Sequence, residues 1–393
     1  MRAVFILRRW LSPALGFVHR ARLRALWIAV HGLAVCGTAS LTAIGRASLR
    51  KATPKHRIKA ADRLFGNPRL HREVGQIYGA IARLLVSEVT RLVVLVDWTQ
   101  VGAKAWALTA AVPIGGRALP ICTEVYATSW LGNRAVQGRF LKRIRHMLPQ
   151  RCQVVMVSDA GFGVPWFRAV RALGWDFVGR IRGHKQVRAV GTELWLANAV
   201  LRGHATNRPA SLGLFDIGRW DPARARLVSV HKRTQGRKRL GRRGRPRTNG
   251  LDRKHARSAR EPWLLATSLM DLSPREVVGV YRRRMQIEEL FRDEKNHRFG
   301  WSLGMTMTTD PRRLEVLLLL LALGVIAMTL LGLSLEQQQL HYRYQANTVK
   351  TRRILSFFVL GTLAAAAHDH RLTQEQLRHA LAAVRTAGRL EVP

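Results

Sequence analysis

Val316 to Leu335, VLLLLLALGVIAMTLLGLSL, contains no charged side chain. As a helix it would be about 30 Å long, the thickness of a bilayer's hydrocarbon core. A chain that carries such a run must either cross a membrane with it or surround it with protein. No second run of this kind occurs in the 393 residues. By length and apolarity alone the run reads as a membrane span. With no second span, and with a polar helix about 20 residues before it that must stay with Asp97 and Asp159, the expectation is a central helix buried on both sides. The chain is long enough for two or three domains and a sizeable core.

The apolar run closely follows a polar stretch of opposite character. Tyr281 to Lys295, YRRRMQIEELFRDEK, lacks proline and glycine and is rich in helix formers, which predicts one helix. With Tyr281 as origin, Arg284 falls at about −60°, Glu288 at about −20° and Lys295 at about −40°. A hydroxyl, a guanidinium, a carboxylate and an ammonium then share one stripe. Val280, Ile287, Leu290 and Phe291 form the apolar face that fixes it to a core. Glu289 lies about 100° round the helix from Glu288. A charged helix is by itself an ion-paired surface, Arg284 with Glu288 being one such pair. The other reading is a metal-ligating carboxylate flanked by phosphate-binding cations.

Charge narrows the partners. Lys and Arg number 66 against 24 acids, a formal net charge of +42. That excess repels itself unless a polyanion absorbs it. Nucleic acid is the first candidate, ahead of an anionic membrane or ribosome-like packing. Arginine outnumbers lysine, which favours bidentate phosphate contacts. Cys36, Cys122 and Cys152 are scattered and lack metal-type spacing. They point to a reducing compartment with neither a disulfide framework nor a zinc site. The N-terminal MRAVFILRRWLSPALGF is broken by Arg8 and Arg9 and makes a poor signal peptide.

Residues 1–88 read as a basic helical module, with apolar residues at helical spacing over Arg22–Val35 and His71–Leu85. Leu92–Val96 reads as a short buried strand ended by Asp97. Strands follow over Ala105–Val112 and Leu119–Thr128, joined by a turn at residues 113–116. Then come a helix from Arg134 to Leu148, a strand at Val154–Val157 ended by Ser158-Asp159, a helix over Val164–Leu173 and a strand over Phe177–Ile181. Three strands, helix, strand, helix, strand is the layout of an RNase H-like nuclease core. In that fold the first and fourth strands are neighbours, so Asp97 and Asp159 are expected to meet at one sheet edge. Either aspartate alone reads as a turn former or helix cap. The pair, with a later helical glutamate, reads as a site.

From about Gly183 to Leu272 short strand-like pieces (Gly213–Ile217, Arg226–His231, Trp263–Ser268) flank a loop at 231–260. Between Lys232 and Arg260 this loop holds 13 Lys or Arg and one acid. It buries no core and should order only on binding. Its Arg243-Gly244-Arg245-Pro246 resembles the core of an AT-hook, and in so basic a run Arg243 and Arg245 read as phosphate contacts. Beyond Leu335 the chain is helical and mostly basic, with a capping-box pattern at Thr373 and Gln376.

Y-x2-R-x3-E-x6-K, met here by Tyr281, Arg284, Glu288 and Lys295, resembles the signature of DDE-type insertion-sequence transposases of the IS-four family. That family includes the Tn-five and Tn-ten enzymes. VDWT around Asp97, VSDAGFGVPW around Asp159, EPWLLATS around Trp263 and LTAIGRASLRKATPKHRIKAADRLFGN look like further motifs of it. The likeness runs from about Leu41 to Arg353. It implies that Asp97, Asp159 and Glu288 are catalytic, and that Tyr281, Arg284 and Lys295 contact transposon-end DNA, the two cations on phosphates. It also implies that Trp263 stacks on a base flipped out of the transposon end. A tryptophan in a strand is otherwise core, but such stacking would offset the unstacking cost of a bent backbone.

The expected fold is α/β, an RNase H-like mixed-sheet catalytic core interrupted by a β-rich insertion, with helical N- and C-terminal regions. The expected domains are 1–88, binding DNA ends; 89–182, the first part of the core; 183–272, the insertion; 273–335, the second part of the core; and 336–393, C-terminal helices. Three carboxylates without a His or Cys cluster call for hard divalent cations, Mg²⁺ or Mn²⁺. Two ions about 4 Å apart activate a nucleophile and stabilise a leaving oxygen. Asp97 is expected to bridge them, with Asp159 and Glu288 each completing one.

The resemblance implies cut-and-paste transposition by nicking, hairpin formation, hairpin opening and strand transfer. The partners implied are double-stranded DNA, as terminal inverted repeats and as target, and a second protomer in a synaptic dimer. No membrane is expected, and the place is the bacterial cytoplasm at the nucleoid. Two competing readings are a host RNase H-like nuclease or junction resolvase, and a non-catalytic basic DNA-binding or membrane-anchored protein. The first leaves the polar helix, Trp263 and the insertion unexplained.

Overall fold

A computed structural model describes residues 2–86, 91–231, 261–367 and 372–390. The chain opens with helices α1 (Arg2–Leu11), α2 (Arg20–Cys36), α3 (Leu41–Arg46), α4 (Pro54–Phe65) and α5 (Pro68–Val86). Strands β1 (Arg91–Gly102), β2 (Ala105–Ile114) and β3 (Arg117–Ala127) precede α6 (Arg134–Met147), β4 (Gln153–Ser158), α7 (Gly163–Ala172) and β5 (Asp176–Arg180). Next are β6 (Gln186–Ala189), β7 (Trp195–Ala197), α8 (Asn198–Gly203), β8 (Ala210–Ile217), β9 (Ala223–Val230) and β10 (Trp263–Thr267). The last helices are α9 (Pro274–Arg282), α10 (Met285–Lys295), α11 (Pro311–Gln337), α12 (Phe357–Ala367) and α13 (Gln374–Ala387). Two compact units result: residues 1–154 with 283–391, and residues 155–282. The boundaries expected from composition partition the chain differently, by element type and charge.

The first unit is built round α11. Asp310 caps it, accepting from the amides of Arg312 at 2.8 Å and Arg313 at 3.2 Å, and Pro311 supplies a pre-set first turn. Every residue from Val316 to Leu335 is buried, and α1, α2, α4, α5, α12, α13 and β3 surround it. The uncharged run is thus the expected central helix, covered by protein along its length. Each buried leucine contributes about 2 kcal/mol, and the helix needs no polar face because none of its sides meets water. α11 and α12 approach so closely that a Cβ on Gly332 would run into the Phe357 carbonyl, and one on Gly361 into that of Met328.

β1, β2 and β3 form an antiparallel meander, with Asp97 opposite Thr109 and Thr109 opposite Thr123. Gly115 (φ 49°) and Gly116 (φ 89°) alone make the second turn, because two successive positive φ values match the strand twist. The turn is narrower than expected, since β2 runs on through Pro113 and Ile114. Asp97 does not end β1 either. The strand continues to Gly102 because Trp98, Thr99 and Gln100 keep pairing with β2. At the far end, Thr373 and Gln376 complete the capping box, and α13 packs on α11, α5 and β2.

In the second unit the strand order is β4-β5-β10-β9-β8-β6-β7. β4, whose last four residues belong to this unit, runs parallel to β5, and the remaining pairs are antiparallel. The order β1β2β3-α6-β4-α7-β5 is the one expected, and the mixed α/β fold is consistent with an RNase H-like domain. Phe167 of α7 stacks on Phe177 of β5 with ring centroids 4.5 Å apart. The strand-like pieces near 213, 226 and 263 are β8, β9 and β10, and β10 pairs directly with β5. β6, β7 and α8 were not anticipated; they are too short to show a period.

The polar stretch is two helices, not the one expected. α9 ends at Arg282, Arg283 and Arg284 form a turn, and α10 begins at Met285. At the break the amides of Gln286 and Ile287 reach back only three residues, to Arg283 and Arg284. The break also falls at the boundary between the units.

Candidate active site

Asp97 stands in mid-β1, its Oδ1 accepting from the Trp98 amide at 2.8 Å. Across from it the turn before α10 presents Arg284. The guanidinium donates from Nη1 to Asp97 Oδ2 at 3.1 Å and from Nη2 to Glu288 Oε1. One cation thus draws together two carboxylates 191 positions apart in sequence. Asp97 and Arg284 are largely shielded from water, with side-chain exposures of 14% and 13%, while Glu288 is open at 36%. Lys295, two turns further along α10, donates to Thr99 Oγ1, which lies two residues beyond Asp97 on β1. Arg284, Glu288 and Lys295 therefore do share a stripe, and it lies along β1.

Glu289 faces elsewhere. Its carboxylate meets Arg117 at 3.5 Å and Arg292 at 3.3 Å, and Arg117 also binds Asp293 at 2.6 Å. Behind the stripe, burial pushes the Glu294 carboxyl up to about 8 and raises that of Asp293, while Arg117 pulls the latter back. Burial likewise lowers the Lys295 ammonium, against the opposing pull of Glu294 and Asp97. A cavity of about 370 Å³ opens beside Glu288 and Lys295, lined also by Phe291, Arg292 and Asn296.

The other expected site residues lie elsewhere in the chain. Asp159 directly follows β4 in the second unit, and its Oδ1 accepts from the Gly161 amide at 2.8 Å. Trp263 opens β10, half-buried, with Tyr281 edge-on to it at 4.9 Å. Tyr281 itself is only 3% exposed. Arg243 and Arg245 lie outside the described residues. Sequence reasoning missed Thr99, Arg117, Asp293 and Glu294. Thr99 carried a signal, since a strand's period of two puts it on the face of Asp97.

Asp97 and Glu288 are hard oxygen donors of the kind Mg²⁺ and Mn²⁺ take. Arg284 already occupies the place between them as a stand-in cation, so the pair fits a metal. Among the described residues no three His, Cys, Asp or Glu side chains form a ready cage.

Residues 133–325 match the family model described as a transposase DDE domain. The span holds Asp159, Trp263, Tyr281, Arg284, Glu288 and Lys295, covers just under half of the chain and stops short of Asp97. The match supports a DDE-type transposase, an enzyme of the nuclease and transposase class. That class binds DNA and generally uses divalent metal ions. No curated protein matches the chain.

Proposed function

We propose that the chain is a cut-and-paste DNA transposase of the IS-four kind, acting on the inverted-repeat ends of its own element in the bacterial cytoplasm. The observation that carries this reading is the meeting of Asp97 and Glu288 over Arg284, because it joins the strand motif VDWT to the matched DDE span. Asp159 is the third carboxylate of the proposal, on the strength of its motif and its place at the end of a strand. Mg²⁺ held by these carboxylates would supply Lewis acidity at the scissile phosphate.

The chain's own residues do the rest. Arg284 and Lys295 hold the phosphates flanking the cut. A phosphate beside Lys295 would oppose the burial that lowers its ammonium. Trp263 receives a displaced base, and Tyr281 braces its ring edge-on, acting on DNA through Trp263. Nicking, hairpin formation, hairpin opening and strand transfer are one substitution at phosphorus with different nucleophiles. Two ends must be brought together, so the active form is a dimer.

The test is incubation of the purified chain with linear DNA carrying its element's ends, with Mg²⁺, beside Asp97→Ala. Mg²⁺-dependent cuts leaving hairpin ends, absent in the variant, are expected. Cuts without hairpins would point to a host nuclease or resolvase. Equal cleavage by both proteins would remove Asp97 from the site.

A further inference from the structure

Along α5, in the first unit, two cavities of about 560 and 390 Å³ lie side by side and share Arg72 in their walls. Pro68, Arg72, Gly75, Gly79 and Arg83 line them at spacings of three and four, which is one face of the helix. That face is about 22 Å long. Arg143 and His146 of α6 and Arg312 at the start of α11 also line the cavities. Because Gly75 and Gly79 have no side chain, the groove's own side chains settle close over the helix, and a Cβ on Gly79 would meet Arg83 Nη1 at 3.5 Å and Met147 Cγ at 3.8 Å. A Cβ on Gly75 would already stand 3.0 Å from Arg143 Nη1.

The groove is strongly cationic. Arg72 and Arg83 have no ion pair among the described residues. Arg143 is held by Glu124 at 2.7 Å. The one acid in the lining, Glu315, is pushed up to about 7 by burial, so it offsets only part of that charge at neutral pH. At one end Ala14, Phe17 and Met147 form an apolar seat, with the Phe17 ring 43% exposed.

We propose that this groove binds one strand of DNA through consecutive backbone phosphates, at a place separate from the carboxylate site. At one phosphate per about 3.4 Å along each strand of a duplex, or per about twice that distance in an extended strand, 22 Å spans roughly three to six phosphates. Guanidiniums suit phosphate better than any apolar partner would, and the Phe17 end seats one unstacked base. The α5 face of the groove lies outside the matched DDE span, while Arg143, His146, Arg312 and Glu315 in its wall lie within it. It rests on the DNA-acting reading of the chain but not on its chemistry.

The test measures binding of the full chain to a labelled duplex of its element's end, and to one of its single strands, across a salt series in EDTA. Without metal no cleavage intervenes. Arg72→Gln with Arg83→Gln should flatten the duplex salt slope by about 1.8, at about 0.9 per phosphate contact, and loosen binding at least tenfold. Gly75→Leu keeps every charge and raises helix propensity. It should therefore leave the thermal midpoint at or above that of the wild type while weakening binding. Arg378→Gln, one exposed charge on α13, is the control.

Groove variants that bind like this control, or a Gly75→Leu chain that binds like the wild type, would overturn the groove while leaving the transposase reading intact. A wild type that binds no DNA would remove both. Anionic vesicles or polyglutamate bound with the same dependence on Arg72 and Arg83, and DNA not, would overturn the choice of ligand.

Discussion

α10 and α11 are neighbours in the chain and opposites in what fixes them. α11 carries twenty successive buried residues without a charge, and its place follows from burial alone. Its side chains are interchangeable in kind, and any surrounding apolar wall would hold it. α10 is placed by particular atoms: Arg284 on Asp97 and Glu288, Lys295 on Thr99, and Arg117 on Asp293. The comparison teaches that, away from close approaches such as Gly332 and Gly361, the core depends on apolarity and volume, whereas the site depends on particular atoms.

The largest effect expected follows from that contrast. Leu320 is fully buried, so Leu320→Asp places an unpaired carboxylate in the core at a cost of more than about 4 kcal/mol. No folded protein should be recovered. Leu320→Met keeps volume and polarity and should cost less than about 1.5 kcal/mol in denaturant titration. A Leu320→Asp chain that unfolds cooperatively near the wild-type midpoint would break the comparison, because α11 would then not be the centre of the core.

The same contrast explains what was legible in the sequence. The apolar run showed its own fate because burial is non-directional. Asp97, Glu288 and Arg284 were legible as spacing, and the structure places all three together in the first unit. The extension of β1 past Asp97 was not legible, since the residues from Trp98 to Gln100 are held there by pairing with β2. The break at Arg283–Arg284 was hidden too, because nothing in YRRRMQIEEL lowers helix propensity. It is the tertiary pairs of Arg284 and the unit boundary that accompany it. Arg117 and Asp293 could not have been joined from sequence, as neither sits in a periodic pattern with the other.

Glu294 sharpens the comparison at an intermediate scale, being a buried acid on the polar helix. Its folded carboxyl is pushed up to about 8, from an ordinary value of 4.5. Between these pH values the folded state keeps a proton that the unfolded state has released. Stability therefore falls as pH rises from about 4.5 to 8 and levels off above. Over that interval the wild type should lose a few kcal/mol through this group. Glu294→Gln should remove that part of the slope and be the more stable chain at pH 8.5. Denaturant titrations of both at pH 5 and 8.5 decide it. Equal slopes would mean that Glu294 is ionised in the fold and held by Lys295.

The smallest effect bears on the site's own cation. Arg284 pairs with Asp97 and Glu288 together and offsets one of their two charges, so an incoming divalent ion must first displace a guanidinium that is already paired. Replacing it frees the carboxylates and leaves like charges facing each other. Arg284→Gln should therefore lower the thermal midpoint without metal and bind Mn²⁺ more tightly in the absence of DNA, by about tenfold or ~1.4 kcal/mol. Titration calorimetry with Mn²⁺ reads the second effect, and added Mn²⁺ should recover the midpoint more fully than in the wild type. In the wild type DNA phosphate would do what the substitution does, drawing Arg284 off the carboxylates, so that metal affinity rises only when substrate is bound. Unchanged Mn²⁺ affinity in Arg284→Gln would show the two ion pairs to be as weak as exposed ones, and α10 would then be held at β1 by Lys295 and Thr99 instead.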